Sequence, residues 1–169
     1  EWNDINNDDQ NGVSGLIQNY RLISDIDFSN ADYSPYITGT FQGYIDGEYK
    51  GTIHTLKNIS GKSSLIKGFD KGTIKNLYID NLIINSQSQK IGFIENVEVT
   101  ENIEISNIHI KNMEITSEYN GGTPCIGGIA GYINSGSSSL ADSIKVQNCS
   151  IQGLSIEFSN NKVTDIRVG

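Results

Sequence analysis

The sequence predicts an all-β fold, a solenoid of stacked parallel strands, from its β-branched composition, its supply of turn residues and a segment that recurs along the chain. The 169 residues include 27 Ile against 8 Leu and 3 Ala. β-Branched side chains lose χ1 freedom in helices and fit a pleated surface, so helical bundles and doubly wound α/β folds are poor matches. With 18 Gly, 19 Asn and 19 Ser but 2 Pro, the turns must rely on residues that tolerate positive φ.

The recurring segment is the most informative feature. It covers Ile53 to Ile59, Ile74 to Ile84, Ile105 to Ile115 and Val146 to Ile156. The last three share apolar residues at offsets 0, 3, 5, 8 and 10, Asn at offset 2, and Asn, Asn or Gly at offset 7. This is neither a helical period nor a plain strand alternation. A strand that bends every five residues explains it, because one extra residue at each bend returns the next apolar side chain to the inside. Asn and Gly tolerate the left-handed region, so Asn76, Asn107 and Asn148 are expected to stack at one corner, and Asn81, Asn112 and Gly153 at the next.

A second motif precedes each copy and supplies a third side: Leu65 to Gly68, Phe93 to Asn96, and Gly128 to Gly131. Its copies lie 28 and 35 residues apart, while Ile74, Ile105 and Val146 lie 31 and 41 apart, which fits one coil plus loops of variable length. No single repeat can bury its apolar face alone, so the copies must stack. A β-sandwich would also space its strands regularly, but it has no need for Asn at matched offsets beside matched Ile and Leu. A pentapeptide-repeat helix shares the five-residue step, yet each run here lasts only two steps. Before the repeats, Trp2, Ile5 and the polar run Asn6 to Gly12 read as a cap over residues 1–20, with a short helix allowed within it, and Tyr20 to Phe28 reads as a first strand pair. Residues 21–169 are the stacked part.

These residues resemble a known family. Asn19 to Phe28, Gly39 to Gly47 and Thr52 to Asn58 look like the opening of right-handed β-helices that carry GLUG motifs, and Gly127 to Tyr132 resembles the GLUG element itself. The resemblance implies a right-handed parallel β-helix from an exported bacterial protein, secreted or at the cell surface. Adhesin-like proteins and the non-catalytic region of immunoglobulin A protease-type zinc metallopeptidases are of this kind. Ser64 to Gly68 and Gly92 to Asn96 keep only the apolar skeleton of the glycine-rich element, and Gly47 to Gly51 is a longer corner than the usual tight turn. No HExxH occurs, so the zinc site of those peptidases is not in this chain.

Charge and candidate chemistry narrow the function. A net charge of −8, with Arg21 and Arg167 the only arginines, leaves no electropositive stripe, which disfavours nucleic acid and anionic membrane surfaces. Apolar runs fall far short of the roughly 20 residues of a membrane span, and nothing reads as a signal peptide. Glu1 and the ending at Arg167, Val168 and Gly169 suggest a piece of a longer parent chain. Glycosidase chemistry needs two facing carboxylates, and the repeat register does not gather Asp25, Asp27, Asp46, Asp70 and Asp80. His54 and His109 have no partner at metal-ligand spacing and read as exposed strand histidines; a Ser-His-Asp triad is not excluded by sequence order, but neither residue type sits in a nucleophile elbow. Asp4 to Gly12 has calcium-like oxygen spacing, but the loop lacks glycine at its sixth position and has Gly15 where a glutamate should stand at the twelfth, so it reads as an acidic capping loop. Gly121, Gly122, Gly127 and Gly128 are not followed by the Lys-Ser/Thr of a phosphate loop and read as corners. Cys149 falls at an inward offset, and a bridge to Cys125, 24 residues upstream, is geometrically conceivable.

The expectation is a non-catalytic spacer or binding module with no catalytic, cofactor or metal residues and no cofactor. It would engage a host protein or glycan through loops 117–126 and 134–143 and the 85–90 turn. Lys75, Tyr78, His109, Lys111, Lys145 and Ser150 would form a mixed polar outer face. The alternatives are an accessory region of a metallopeptidase and a carbohydrate-active enzyme on the same scaffold.

Overall fold

The computed structural model describes residues 2–7, 12, 14–29, 35–134, 143–159 and 167–168. Among these the chain is all-β, with parallel sheets that curl into a half-barrel and no α-helix. Two short 3-10 turns, Trp2–Asn6 and Gly15–Ile17, open the chain. The strands are β1 (Asn19–Arg21), β2 (Ile26–Asp27), β3 (Ile37–Phe41), β4 (Tyr44–Asp46), β5 (Glu48–Tyr49), β6 (Thr52–Ile53), β7 (Thr55–Gly61), β8 (Ile66–Phe69) and β9 (Gly72–Ser86). They continue as β10 (Lys90–Ile91), β11 (Ile94–Glu98), β12 (Ile103–Ser117), β13 (Cys125–Ile126), β14 (Ala130–Asn134), β15 (Ile144–Gln147), β16 (Ser150–Phe158) and β17 (Arg167–Val168).

Among the described residues every pairing is parallel except the β5–β6 hairpin. The largest sheet runs β1–β4–β9–β12–β15, with β2 and β7 joined to β9 and β16 joined to β12. A second sheet has the order β14–β11–β8–β3, and a third β10–β13–β17. The long strands β9 and β12 each bend twice. The bends fall at Asn76 and Asn81 and at Asn107 and Asn112, all with φ between 55° and 69°. Asn58, Asn148 and Gly153 take the same left-handed conformation in β7, before β16 and within it. The expected corners therefore stand where the offsets place them.

The amides at the first corner form a column. Asn148 Nδ2 donates to Asn107 Oδ1 at 3.0 Å, Asn107 Nδ2 to Asn76 Oδ1 at 2.8 Å, and Asn76 Nδ2 to Asp46 Oδ1 at 2.9 Å. At the second corner Asn81 donates to Asn58 and Asn58 to Asp27, whereas Asn112 turns aside to Asp80 at 3.2 Å. Inward side chains stack in register between the corners. Ile45, Ile74 and Ile105 form one fully buried column, Leu77 and Ile108 another, and Ile59, Leu82 and Met113 a third. Each such side chain contributes roughly 1.5–3 kcal/mol by leaving water. On the third side Phe41 stacks on Phe69 with centroids 6.2 Å apart. β14, β15 and β16 have a described neighbour on one side only. Ile133, Val146 and Leu154 are accordingly 47%, 45% and 42% exposed at positions where the preceding strand buries Val97, Ile105 and Met113 completely.

Several expectations need correction. Tyr20 to Phe28 is not a strand paired with itself: β1 pairs with β4 and β2 with β7. The short helix allowed within residues 1–20 takes the form of the two 3-10 turns; Trp2 Nε1 donates to the Pro35 carbonyl and Asn6 Nδ2 to that of Tyr36, which fastens the first turn to the chain before β3. The long corner after Gly47 is a hairpin whose central Lys50 and Gly51 both have positive φ, as primed two-residue turns require. In the third motif Ile94 pairs with Ala130 rather than Ile129. Ile91 pairs with Ile126, so the Gly127–Gly128 stretch absorbs one more residue than the preceding copy, and the register slips by one.

Replacing Asn107 by leucine removes an amide bonded on both sides and forces a branched side chain into positive φ. It should lower stability by about 1–3 kcal/mol, read as a fall in the denaturation midpoint. Asn107→Gly keeps the backbone freedom and should cost less. Unchanged melting of the leucine variant would show that the column does not hold the corner.

Candidate functional site

Among the depressions of the described surface, two involve several of the residues singled out from the sequence. One, of about 450 Å³, is lined by Trp2, Ile5 and residues 20–27. The other, of about 370 Å³, lies on the outer face of the main sheet and is lined by Thr55, Tyr78, Ile79, Asp80, His109, Ile110, Lys111, Ser150 and Gln152. The second is the better candidate, because four strands in one register build it. Thr55, Tyr78, His109 and Ser150 form one outward row across β7, β9, β12 and β16. Lys57, Asp80, Lys111 and Gln152 form the next outward row. Between the rows the buried Ile79 and Ile110 point inward, so their backbone makes the floor.

Register also organises the charge. Asp27 pairs with Lys57, Lys57 with Asp80, and Asp80 with Lys111, so the sign alternates from strand to strand. Opposite charges directly across a strand pair stabilise it and like charges destabilise it. Lys57 Nζ also sits 2.6 Å from Asp25 Oδ2. That hydrogen bond, with the Thr55 N–H, holds the Asp25 carboxyl below its ordinary pKa, and the same contact raises that of Lys57.

The asparagine column fixes the chemistry of His109. A carboxylate can only accept, so Asp46 must face the amide nitrogen of Asn76. Asn76 then presents its oxygen to Asn107, whose own oxygen is left to face Asn148 and the His109 ring. His109 Nε2, 2.9 Å from Asn107 Oδ1, must therefore carry the proton, and in the neutral ring Nδ1 accepts the Ser150 hydroxyl at 2.7 Å. The Tyr78 ring, 42% exposed, meets the imidazole edge-on with centroids 5.3 Å apart. Ser150, His109 and Asn107 thus repeat the hydrogen-bond order of a nucleophilic triad with an amide in place of the acid. The group behind the ring is an amide and not a carboxylate, and Ser150 lies along a strand and not at a sharp turn.

Of the predicted outer-face residues the structure brings together Tyr78, His109, Lys111 and Ser150. Lys75 and Lys145 lie across the corner, Lys75 beside Asp46 and the Tyr44 ring, Lys145 beside Glu104. The histidines are not free-standing. His54 lies 3.5 Å from Asp25, which arrives from the preceding strand segment, and His109 is bonded on both nitrogens. The five carboxylates are individually engaged: Asp25 with Lys57, Asp27 with Asn58, Asp46 with Asn76, Asp70 with Gln42 and Asp80 with Asn112. The loops after β9 and β12 touch, through Gln87 to Glu118 and Gln89 to the Thr123 carbonyl, but neither lines the depression. Residues 135–142 of the third loop, and residues 8–11 of the acidic run, lie outside the described residues. Both cysteines are free thiols, and Cys149 packs against the core. Among the described residues no group of three His, Cys, Asp or Glu could hold a metal ion. Thr55 and Gln152 are members of the site that the sequence does not single out, while Asp80 and Asn107 are read there only as a scattered carboxylate and a corner residue. Asn at offset 2, two residues before an outward histidine, was the signal for Asn107.

Asp46 anchors the column and should report its integrity. Burial works to raise its pKa, but the Glu48 N–H, the Asn76 amide, the Tyr44 hydroxyl and the nearby Lys75 outweigh burial and hold it below the ordinary value. A lowered folded pKa means stability that is complete above the unfolded value of 3.8 and is lost as pH falls through the folded one. Asp46→Asn should therefore cost about 1–3 kcal/mol near neutrality and progressively less in acid, seen as melting curves that converge below the carboxylate range. A difference that stays constant with pH would remove the carboxylate from this role. Compared with protein-family models, with curated proteins and with solved structures, the chain finds no match in any of the three.

Proposed function

We propose that the chain is a right-handed parallel β-helix and that it serves as a non-catalytic spacer and binding module of an exported protein at the bacterial cell surface. The observation that carries this reading is the single register running through β7, β9, β12 and β16. Like positions lie over one another, so the inward rows merge into one core and the outward rows into one continuous surface. Such a stack is stiff along its axis because each strand is hydrogen-bonded to the next, and a stiff element with a patterned outer face suits presentation and binding. The likeness of Gly127 to Tyr132 to the GLUG element supports the exported setting. The ligand would be a host protein or glycan, engaged by the outer face as well as by the loops.

Catalysis has weaker physical support. The candidate carboxylates hold backbone, lysine or amide groups, and the imidazole has no acid behind it. The test is to incubate the protein with immobilised host surface proteins and glycans, and in parallel with peptide, ester and oligosaccharide substrates. Saturable retention on at least one surface without turnover is expected. Turnover of any substrate would overturn the non-catalytic reading, and absence of retention on every surface would overturn the binding one.

A further inference from the structure

The depression on the outer face has the chemistry of a site for one kind of molecule. Tyr78 offers an exposed, flat, apolar ring. Around it lie hydroxyls from Thr55 and Ser150, a carboxylate from Asp80, an ammonium from Lys111 and an amide from Gln152. A matching ligand has an apolar face that can lie on the ring and a rim of groups that both donate and accept, which describes a pyranose sugar. The volume of about 370 Å³ falls in the range of small-ligand sites. An extended peptide is a poorer fit, because it gains most of its affinity from the open edge of a sheet and not from the face.

Charge decides which sugar. Asp80 and Lys111 stand directly opposite in register and offset one another, while Lys57 is held by Asp25. Each lysine beside the depression thus has a carboxylate across from it or bonded to it, and the chain as a whole carries −8. The field therefore disfavours uronic acids and sulfated sugars. The site is also set in advance. Both His109 nitrogens are hydrogen-bonded, to Asn107 and Ser150, so the ring against which Tyr78 leans is fixed before a ligand arrives, and less ordering is lost on binding. Because Ser150 gives its proton to His109, its lone pairs are directed to accept from a sugar hydroxyl.

We propose that this depression binds a neutral glycan, with one pyranose ring stacked on Tyr78 and its hydroxyls held by Ser150, Asp80, Lys111 and Gln152. The proposal rests on the binding-module reading and names its ligand. The probes are four neutral disaccharides (cellobiose, maltose, lactose and diacetylchitobiose), with digalacturonic acid as the anionic comparison, titrated into the full chain while the ring signals of Tyr78 and His109 are followed by NMR. At least one neutral disaccharide should shift both signals saturably, and digalacturonic acid should bind more weakly. Tyr78→Ala should weaken binding about tenfold or more, whereas Tyr78→Phe, which keeps the ring, should stay within about threefold. Melting curves establish that both variants are folded, and the phenylalanine variant keeps the test decisive if the alanine variant is not.

Shifts confined to residues elsewhere, affinity that ignores Tyr78→Ala, or preference for digalacturonic acid would each overturn the proposal. So would silence towards all four neutral disaccharides. If the protein is silent towards sugars but retained on a host protein, the glycan site fails and the module reading stands; if it is retained on nothing, both fail.

Discussion

The structure depends on asparagine held at positive φ, stacked amide on amide from one strand to the next. These strands change direction at residues held in the left-handed region, which most side chains resist. Glycine tolerates it but brings no hydrogen bond. Asparagine does both: at Asn76, Asn107 and Asn148 the backbone bends while the side chain bonds the equivalent residue of the neighbouring strand. Gly153 shows the alternative at the second corner. The bend survives there without a side-chain bond, and the column is already broken one strand earlier, where Asn112 donates to Asp80 in place of Asn81. Both columns begin on an aspartate, Asp46 or Asp27, whose carboxylate accepts without needing to donate and so closes the row.

In-register parallel stacking sets a condition on the outer face as strict as the one on the core. Adjacent strands lie about 4.8 Å apart, so a residue repeated at one position would face its own copy. For Ile or Asn that is favourable, but for a charge it is not. The outward rows alternate accordingly. Arg21, Asp46 and Lys75 follow one another, as do Asp27, Lys57, Asp80 and Lys111, and Lys67 bonds Glu95 at 2.6 Å on the third side. These pairs contribute little singly where they are exposed, but the reverse arrangement would accumulate repulsion along the whole stack.

This asymmetry explains what the sequence made legible. The apolar offsets and the Asn corners repeat because identical residues are favoured there, and the repeat alone marks Asn76, Asn81, Asn107, Asn112, Asn148 and Gly153. The outer face hides its organisation because its rows must differ from strand to strand. Tyr78, His109 and Ser150 share offset 4 of the repeat, and Asp80, Lys111 and Gln152 share offset 6, but their side chains have no common chemistry that would mark these rows as a site. The Asp25 to His54 contact spans separate strand segments and has no local spacing to betray it. The slip at Ala130 was equally hidden, since Ile129 keeps the apolar pattern and only the pairing of Ile91 with Ile126 reveals the additional residue.

The column and the outer depression are one system because His109 belongs to both. Hydrogen-bond direction, once set by the carboxylate of Asp46, is passed through Asn76 to Asn107 and out to the imidazole, and an amide cannot reverse without breaking a bond on each side. The orientation of a surface ring is thus decided by a buried acid two strands away. A surface histidine would ordinarily sample several rotamers and both tautomers, and a ligand would have to select among them. Here the corner that bends the chain also removes that freedom. The feature that bends the chain is therefore the one that fixes a ring on its outer face.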